Sequence, residues 1–370
     1  MYSKHLFYGI LFCISITALI IACLAFTKKG CGKGEHYKGA NSQNILWQKG
    51  PSMKNARYAF GAAVVKHEDG TTKGVLVCGG CCIATTTNNV ASTEIFDPTS
   101  NTWNENADIP TPRYEHCMAV LDMSAWDDMA FACGGIDDNN NVLNSVDAYF
   151  FATNMWAPPS LIKHMTTARA GAAAVTLKNK LYVMGGHDSG NTALNSMEYY
   201  DPKTENWTLL GASMASARAS AAAATLKNKI YVMGGMDDNN NVLSSVEVYD
   251  ITSGGSWTLG TNMITARSGA AASVVNGKIY VMGGMNNSPA TFSSVEVFTP
   301  AASGGGSWTL LKTSMTIARV FLAAATVNDG ADGDKLYVMG GMASRGTYPD
   351  AVTASTEYLK ESPGPGPSRA

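Results

Sequence analysis

Arg169-Ala-Gly-Ala-Ala-Ala-Val-Thr-Leu177-Lys-Asn-Lys-Leu181-Tyr-Val-Met-Gly185-Gly186 reads as two short strands around a polar turn, ended by a glycine pair. The chain then runs through a polar loop at 187–195 into Ser196-Met-Glu-Tyr-Tyr200, stops at Asp201-Pro202 and reaches Asn206-Trp-Thr-Leu-Leu210. Short β-rich runs separated by Gly, Asn, Asp and Pro at even spacing predict antiparallel strands, four to a unit.

The unit repeats. Glycine doublets stand at Gly79-Gly80, Gly134-Gly135, Gly185-Gly186, Gly234-Gly235, Gly283-Gly284 and Gly340-Gly341, spaced 55, 51, 49, 49 and 57 residues apart. About 22 residues after each of the first five comes a tryptophan: Trp103, Trp156, Trp207, Trp257 and Trp308. A fixed period of this length marks a repeat architecture whose single unit cannot bury its own apolar face. Four-stranded sheets repeated radially form a β-propeller. The first strand of nearly every unit is rich in alanine (221–224, 270–272, 323–325), although alanine is a poor strand former. Crowding near a propeller axis explains that choice, while rings such as Tyr249, Phe298 and the tryptophans fill the wider gaps outside.

The ends count the blades. Trp47 has no doublet before it, and Gly340-Gly341 is followed by Thr356-Glu-Tyr358 and then Pro-Gly-Pro-Gly-Pro where a tryptophan strand is due. Five full intervals and two complementary halves make an all-β, six-bladed propeller of four-stranded antiparallel blades. The strand around Ile45-Leu46-Trp47 is expected to close the ring against the C-terminal strands, and closure removes exposed sheet edges.

Met53-Lys-Asn-Ala-Arg57, Met165-Thr-Thr-Ala-Arg169, Met214-Ala-Ser-Ala-Arg218, Met263-Ile-Thr-Ala-Arg267 and Met315-Thr-Ile-Ala-Arg319 add a further feature to the doublets and tryptophans. In this combination the chain, from about residue 45 to 360, resembles the Kelch repeat. Blade 2 departs most: Ile109-Pro-Thr-Pro-Arg113 lacks the methionine, and 124–128 lengthens its inner hairpin. The Gly-His and Trp-Asp signatures of WD repeats do not recur with the period.

Arg57, Arg113, Arg169, Arg218, Arg267 and Arg319 recur once per blade at the start of the innermost strand. They are the candidate binding residues. Six guanidinium groups ringing one mouth of the channel suit carboxylate or phosphate recognition; one arginine per repeat also suits hydrogen bonds to loop carbonyls in every blade. Specificity is expected beside them, at Tyr58, Tyr114, Ala170, Ala219, Ser268 and Val320. In Kelch proteins that bind peptides, similar positions line the binding site, so the resemblance implies a protein or peptide ligand.

Residues 6–26 form a run of 21 without a charge, flanked by Lys4 and His5 before and Lys28-Lys29 after. About 20 apolar residues span a bilayer as a helix. A single-pass anchor, a signal peptide cleaved near Cys23-Leu-Ala25, and a lipobox Ile20-Ile-Ala-Cys23 with an acylated cysteine are the three readings. Lys28, Lys29, Lys33 and Lys38 favour a cytoplasmic propeller, whereas a short charged start before an apolar run is what export machinery reads; the outward-facing propeller is the expectation taken. The organisation is then an anchor or signal segment at 1–26, a Lys/Gly-rich tether at 27–43, the propeller at 44–361 and a Pro/Gly-rich disordered tail at 362–370. The tether is too short for the helical adaptor domains that many Kelch proteins carry.

A formal net charge of −2 gives no reason to expect nucleic-acid binding. Cys78 and Cys133 take the place of Met in later blades and read as packing residues. Cys117 and Cys133 lie on adjacent strands and could pair in an exported domain, and Cys81-Cys82, on a loop after a doublet, is the candidate reactive or metal-touching pair, although no spaced partner pair accompanies it. The identical runs Asp137-Asp-Asn-Asn-Asn141 and Asp237-Asp-Asn-Asn-Asn241 read as Asx-rich turns, since calcium-loop ligand spacing is missing. Asn206-Trp-Thr208 and Asn286-Asn-Ser288 match glycosylation sequons, the first on a strand and the second before Pro289. His67, His116, His164 and His187 fall on different repeat positions, so the metal set of propellers resembling galactose oxidase is not expected. The enzymatic alternative is an exported sugar-modifying propeller resembling sialic acid mutarotase, its arginine ring holding a carboxylated sugar, although no nucleophile, base or metal set follows from spacing. No cofactor is expected.

Overall fold

A computed structural model describes residues 46–360 apart from 68–69, 82–88, 124–127, 289, 303–304, 329, 331–332 and 344–351. The apolar run at 6–26, the tether, the tail, and the cleavage and lipobox motifs lie outside the described residues. Among the described residues, no helix is long and apolar enough to cross a membrane.

Six four-stranded antiparallel sheets form the blades. Blade 3 shows the pattern: Ala173–Leu177 pairs with Lys180–Met184, that strand with Met197–Asp201, and that with Asn206–Leu209. Innermost strands of neighbouring blades touch all the way round, including the first (Gly61–Lys66) against the last (Ala323–Asn328). The outermost strand of blade 6 comes from the other end of the chain, with Gln48 opposite Tyr358 and Lys49 opposite Glu357.

The inner hairpins turn through left-handed residues, Lys178 and Asn179 in blade 3 and Asn276 with Gly277 in blade 5. Such primed turns match the twist of the strands they join. The innermost strand of blade 3 begins at Ala173, not at Ala170. Gly171 adopts φ +60° and leaves the ladder, so the start of the alanine run belongs to the channel mouth.

The core is six wedges, one between each pair of blades. Between blades 3 and 4, Val175, Tyr182, Met184 and Met197 pack on Met214, Ile230, Val232 and Tyr249. Each wedge widens outward and is filled by rings, as in Phe96–Trp103, Tyr200–Trp207 and Phe298–Trp308, with centroids 5.2–5.5 Å apart. Four tryptophans also donate their indole N–H to the loop of the preceding blade boundary: Trp103 to Pro51, Trp156 to Ala107, Trp207 to Lys163 and Trp308 to Thr261, at 2.8–2.9 Å. One residue type therefore packs a blade and ties it to the preceding loop.

Candidate functional site at the channel mouth

The six arginines do not line the mouth. Each side chain is 0–1% exposed. In every blade Nη1 donates to the first doublet glycine's carbonyl at 2.8–2.9 Å. It also donates to the carbonyl of a serine, Ser92 in blade 1 and Ser245 in blade 4. Nη2 donates to that serine's Oγ at 2.8–3.2 Å and to a buried carboxylate at 2.6–3.0 Å. The partners are Glu94, Asp147, Glu198, Glu247, Glu296 and Glu357. A planar fork of donors can hold these four acceptors at once, which an ammonium with three donors cannot. The arginines thus bond loop carbonyls and have carboxylate partners of their own.

The carboxylate does more than neutralise. Glu247 Oε2 accepts the Ala215 N–H and Oε1 the Ser216 N–H, so it fixes the segment leading into its own arginine. The same pair of backbone bonds reaches Glu94, Glu198, Glu296 and Glu357. Sequence reasoning missed these acids, though a signal was present. Ser-x-Glu or Ser-x-Asp recurs in every repeat, at Ser92, Ser145, Ser196, Ser245, Ser294 and Ser355. An acid on a strand that is otherwise buried calls for a cation.

Two closed rings of backbone hydrogen bonds follow. In the outer one, the second doublet glycine donates to the carbonyl of the next blade's arginine, as Gly80 to Arg113 at 2.8 Å and Gly186 to Arg218 at 2.9 Å. Gly341 returns to Arg57 at 2.9 Å. A Cβ on Gly79 would lie 2.6 Å from the Arg113 carbonyl oxygen, and Gly79 and Gly80 have φ of +63° and +99°. Both constraints require glycine.

The inner ring lies two residues after each arginine. Ala59 N–H donates to Phe321 O (3.0 Å), Glu115 to Ala59 (2.7 Å), Gly171 to Glu115 (2.8 Å), Ser220 to Gly171 (2.8 Å), Gly269 to Ser220 (2.9 Å) and Phe321 to Gly269 (2.8 Å). All six residues are left-handed, φ +51° to +63°. The backbone is the same six times, but the side chains are methyl, carboxylate, hydroxymethyl, benzyl and two hydrogens. The residues directly beside the arginines, expected to carry specificity, mostly face inward: Ala170, Ala219, Ser268 and Val320 are buried, and only Tyr58 and Tyr114 are half-exposed.

The walls of this mouth differ by side. Tyr58, Met285, Val320, Phe321 and Met342 form one small apolar cluster from blades 5, 6 and 1. Across the axis, Glu115 Oε2 lies 3.1 Å from His187 Nε2. Burial pulls the His187 pKa down, but the hydrogen bond and charge of Glu115 outweigh it and leave the value raised.

The other candidates do not assemble into a centre. Cys117 and Cys133 face each other across the ladder as free thiols, and Cys117 Sγ donates to the Cys133 carbonyl at 3.6 Å. Cys81 bridges Tyr58, while Cys82 lies outside the described residues. Asp137 accepts the N–H groups of Asn139 and Asn141 in an Asx turn, and Asp237 does the same with Asn239 and Asn241. His116 is buried and His67 and His164 are exposed. Among the described residues, no group of three or more His, Cys, Asp or Glu is placed to hold a metal.

The comparisons agree with this architecture. Residues 61–284 match the KLHDC2/KLHL20/DRC7 Kelch-repeats domain, and residues 266–314 match the Kelch motif. Kelch-like protein 33 of Homo sapiens is 29% identical over 44% of this chain and 28% of its own length. Kelch repeat-containing protein kel-10 of Caenorhabditis elegans is 27% identical over 50% and 30%, and alpha-scruin of Limulus polyphemus 29% over 31% and 12%. The chain thus spans less than a third of these curated relatives. The structure of YjhT superposes with a TM-score of 0.65 at 17% identity, over 84% of this chain and 96% of that one, a likeness of fold. A domain model matched over more than half the sequence, on a propeller whose glycine doublets, tryptophans and arginines have structural roles, shows that the chain belongs to the Kelch-repeat family.

Proposed function

We propose that this propeller is a membrane-tethered protein-interaction scaffold that holds a peptide segment of its partner at the inner-ring mouth. One observation carries the reading: six backbone positions of identical conformation, locked in a closed hydrogen-bonded ring, display unlike side chains. A rigid frame presenting varied groups supplies recognition at low entropic cost. In this reading the arginines hold the loops that shape the mouth, and the partner does not touch them. Tethering rests on the uncharged run at 6–26, and the outward-facing side on its signal-like start. The sugar-modifying alternative shares the fold likeness to YjhT, but its carboxylate-binding guanidinium ring is already engaged by acids of the same blades.

A photo-crosslinking residue placed at Phe321 in the full chain, with one at Leu259 on the outer rim as comparison, tests the scaffold reading in cells. The expected result is a partner crosslinked from Phe321 and not from Leu259, and lost when Phe321→Glu is introduced beside a crosslinker at Tyr58. A partner crosslinked equally from both sites and indifferent to Phe321→Glu sinks it. Protease cleavage of a C-terminal tag on intact cells checks the outward-facing side.

A further inference from the structure

Gly171 leaves a gap in the inner ring. A Cβ built there would stand 3.3 Å from Ser220 Oγ and 3.6 Å from Glu115 Oε2. The missing side chain therefore opens a niche with a hydroxyl oxygen and a carboxylate oxygen on its sides. Phe321, in the matching position of blade 6, stands opposite Gly171 in the ring order, with Tyr58 at a ring-centroid distance of 6.4 Å.

The arginines add no positive charge at the niche. Every arginine of the repeat is matched by an acid of its own blade, so none contributes a free positive charge at the mouth. The described residues of the loops after the doublets contain Asp137, Asp138, Asp188, Asp237 and Asp238 and no lysine or arginine. His187 is the basic group in contact with Glu115.

Resting on the reading of the mouth as the partner site, we propose that the niche above Gly171 takes a lysine side chain of the partner, with an apolar residue of the same peptide against Phe321 and Tyr58. An ammonium is compact and presents three donors, which suits two oxygens converging on a one-carbon gap; a guanidinium is a wider planar fork. Glu115, in exchange for its contact with His187, supplies the charge-assisted bond and Ser220 the neutral one. The apolar wall contributes contact area, and the carboxylate sets which peptide fits.

The test uses the full chain in detergent micelles and N-acetylated synthetic peptides in which a leucine or phenylalanine lies near Lys, Arg, Gln or Glu. Lysine peptides are expected to bind at least about tenfold tighter than their glutamine counterparts. That preference should vanish in Glu115→Gln and weaken in Gly171→Ala, while Phe321→Ala weakens every peptide. Glu115→Gln keeps the size of the side chain and the backbone ring, and its unfolding midpoint checks the fold. If glutamine, arginine or acidic peptides bind as well as lysine peptides, or Glu115→Gln leaves the preference intact, while Phe321→Ala still weakens binding, the lysine niche is wrong and the mouth remains the site. If no peptide responds to Phe321→Ala or Glu115→Gln, the mouth reading falls and this inference falls with it.

Discussion

Arg218 Nη2 and Glu247 Oε1 lie 2.7 Å apart with both side chains closed to solvent, and the same carboxylate holds the backbone N–H groups of Ala215 and Ser216. Glu247 is thus the joint between the strand that carries it and the loop that delivers the mouth residue Ser220. Equivalent joints occur in four other blades and the buried ion pair in all six, so the shape of the mouth is set by buried ion pairs below it.

Removing one partner of a buried pair leaves an uncompensated charge in a dry site. Glu247→Ala is expected to cost about 3–5 kcal/mol, read as a lowered urea midpoint. Glu247→Gln should cost less, because the amide oxygen still accepts one N–H. Hydrogen exchange locates the effect: Ala215 and Ser216 should lose protection in Glu247→Ala, while Thr166 and Thr167, held by Glu198, should not. Unchanged exchange at Ala215 and Ser216 would refute the joint.

Blade 2 tests the geometry from the other direction. Pro110 stands where the other blades have an N–H facing the carboxylate, and there the acid is Asp147, one carbon shorter. Arg113 donates Nε to the Thr111 carbonyl at 3.2 Å, as Arg218 does to Ser216 at 3.5 Å. Asp147→Glu alone should overpack the site and cost about 1–3 kcal/mol. Combined with Pro110→Ala, which supplies the N–H, part of that cost should return as a coupling of about 0.5–2 kcal/mol in a double-mutant cycle. Additive effects would mean that Pro110 and Asp147 are unrelated.

The repeat, the blade count and the wedge-filling tryptophans were legible because each depends on a side-chain type recurring at fixed spacing. Arg218 was legible as a repeated residue, but its direction was not. A guanidinium at a strand start can face a channel or its own blade, and only the Ser-x-Glu of the third strand decides between them. The inner ring was illegible for a deeper reason: it is made by backbone groups of Ala59, Glu115, Gly171, Ser220, Gly269 and Phe321, whose side chains share nothing. Two glycines among six do not announce a common left-handed conformation, and Phe321 argues against one.

Glycine positions separate strain from contact. Gly277 has φ +71° and nothing within 4 Å of a built Cβ, so Gly277→Ala meets backbone preference alone. It should cost about 1 kcal/mol. Gly185 has φ +65°, and its Cβ would sit 2.5 Å from the Arg218 carbonyl oxygen, inside the outer ring. Gly185→Ala should cost about 3 kcal/mol or more, because the blade contact must open as well. Equal midpoints for the two variants in urea would show that the doublet is tolerant and that the outer ring contributes little.

Two neighbouring histidine environments respond oppositely to pH. His116 Nε2 accepts the Gly61 N–H at 3.1 Å, so the neutral ring carries its proton on Nδ1. Burial first, then the charges of Arg113 and Arg57, hold its pKa at about 3 against an ordinary 6.5. Between those values the unfolded chain binds a proton that the folded one refuses, so stability falls as pH drops below 6.5. The loss from this group is about 2 kcal/mol at pH 5 and approaches about 5 kcal/mol near pH 3. His116→Gln, whose carbonyl oxygen can accept the Gly61 N–H, should flatten that part of the profile. His187 carries the raised value, so its pairing with Glu115 contributes stability in full below its unfolded pKa and loses it as pH rises through the folded one. His187→Gln should therefore remove stability on the acid side and leave the alkaline side alone. An acid slope unchanged in His116→Gln would place the titrating group elsewhere and would mean that water reaches His116.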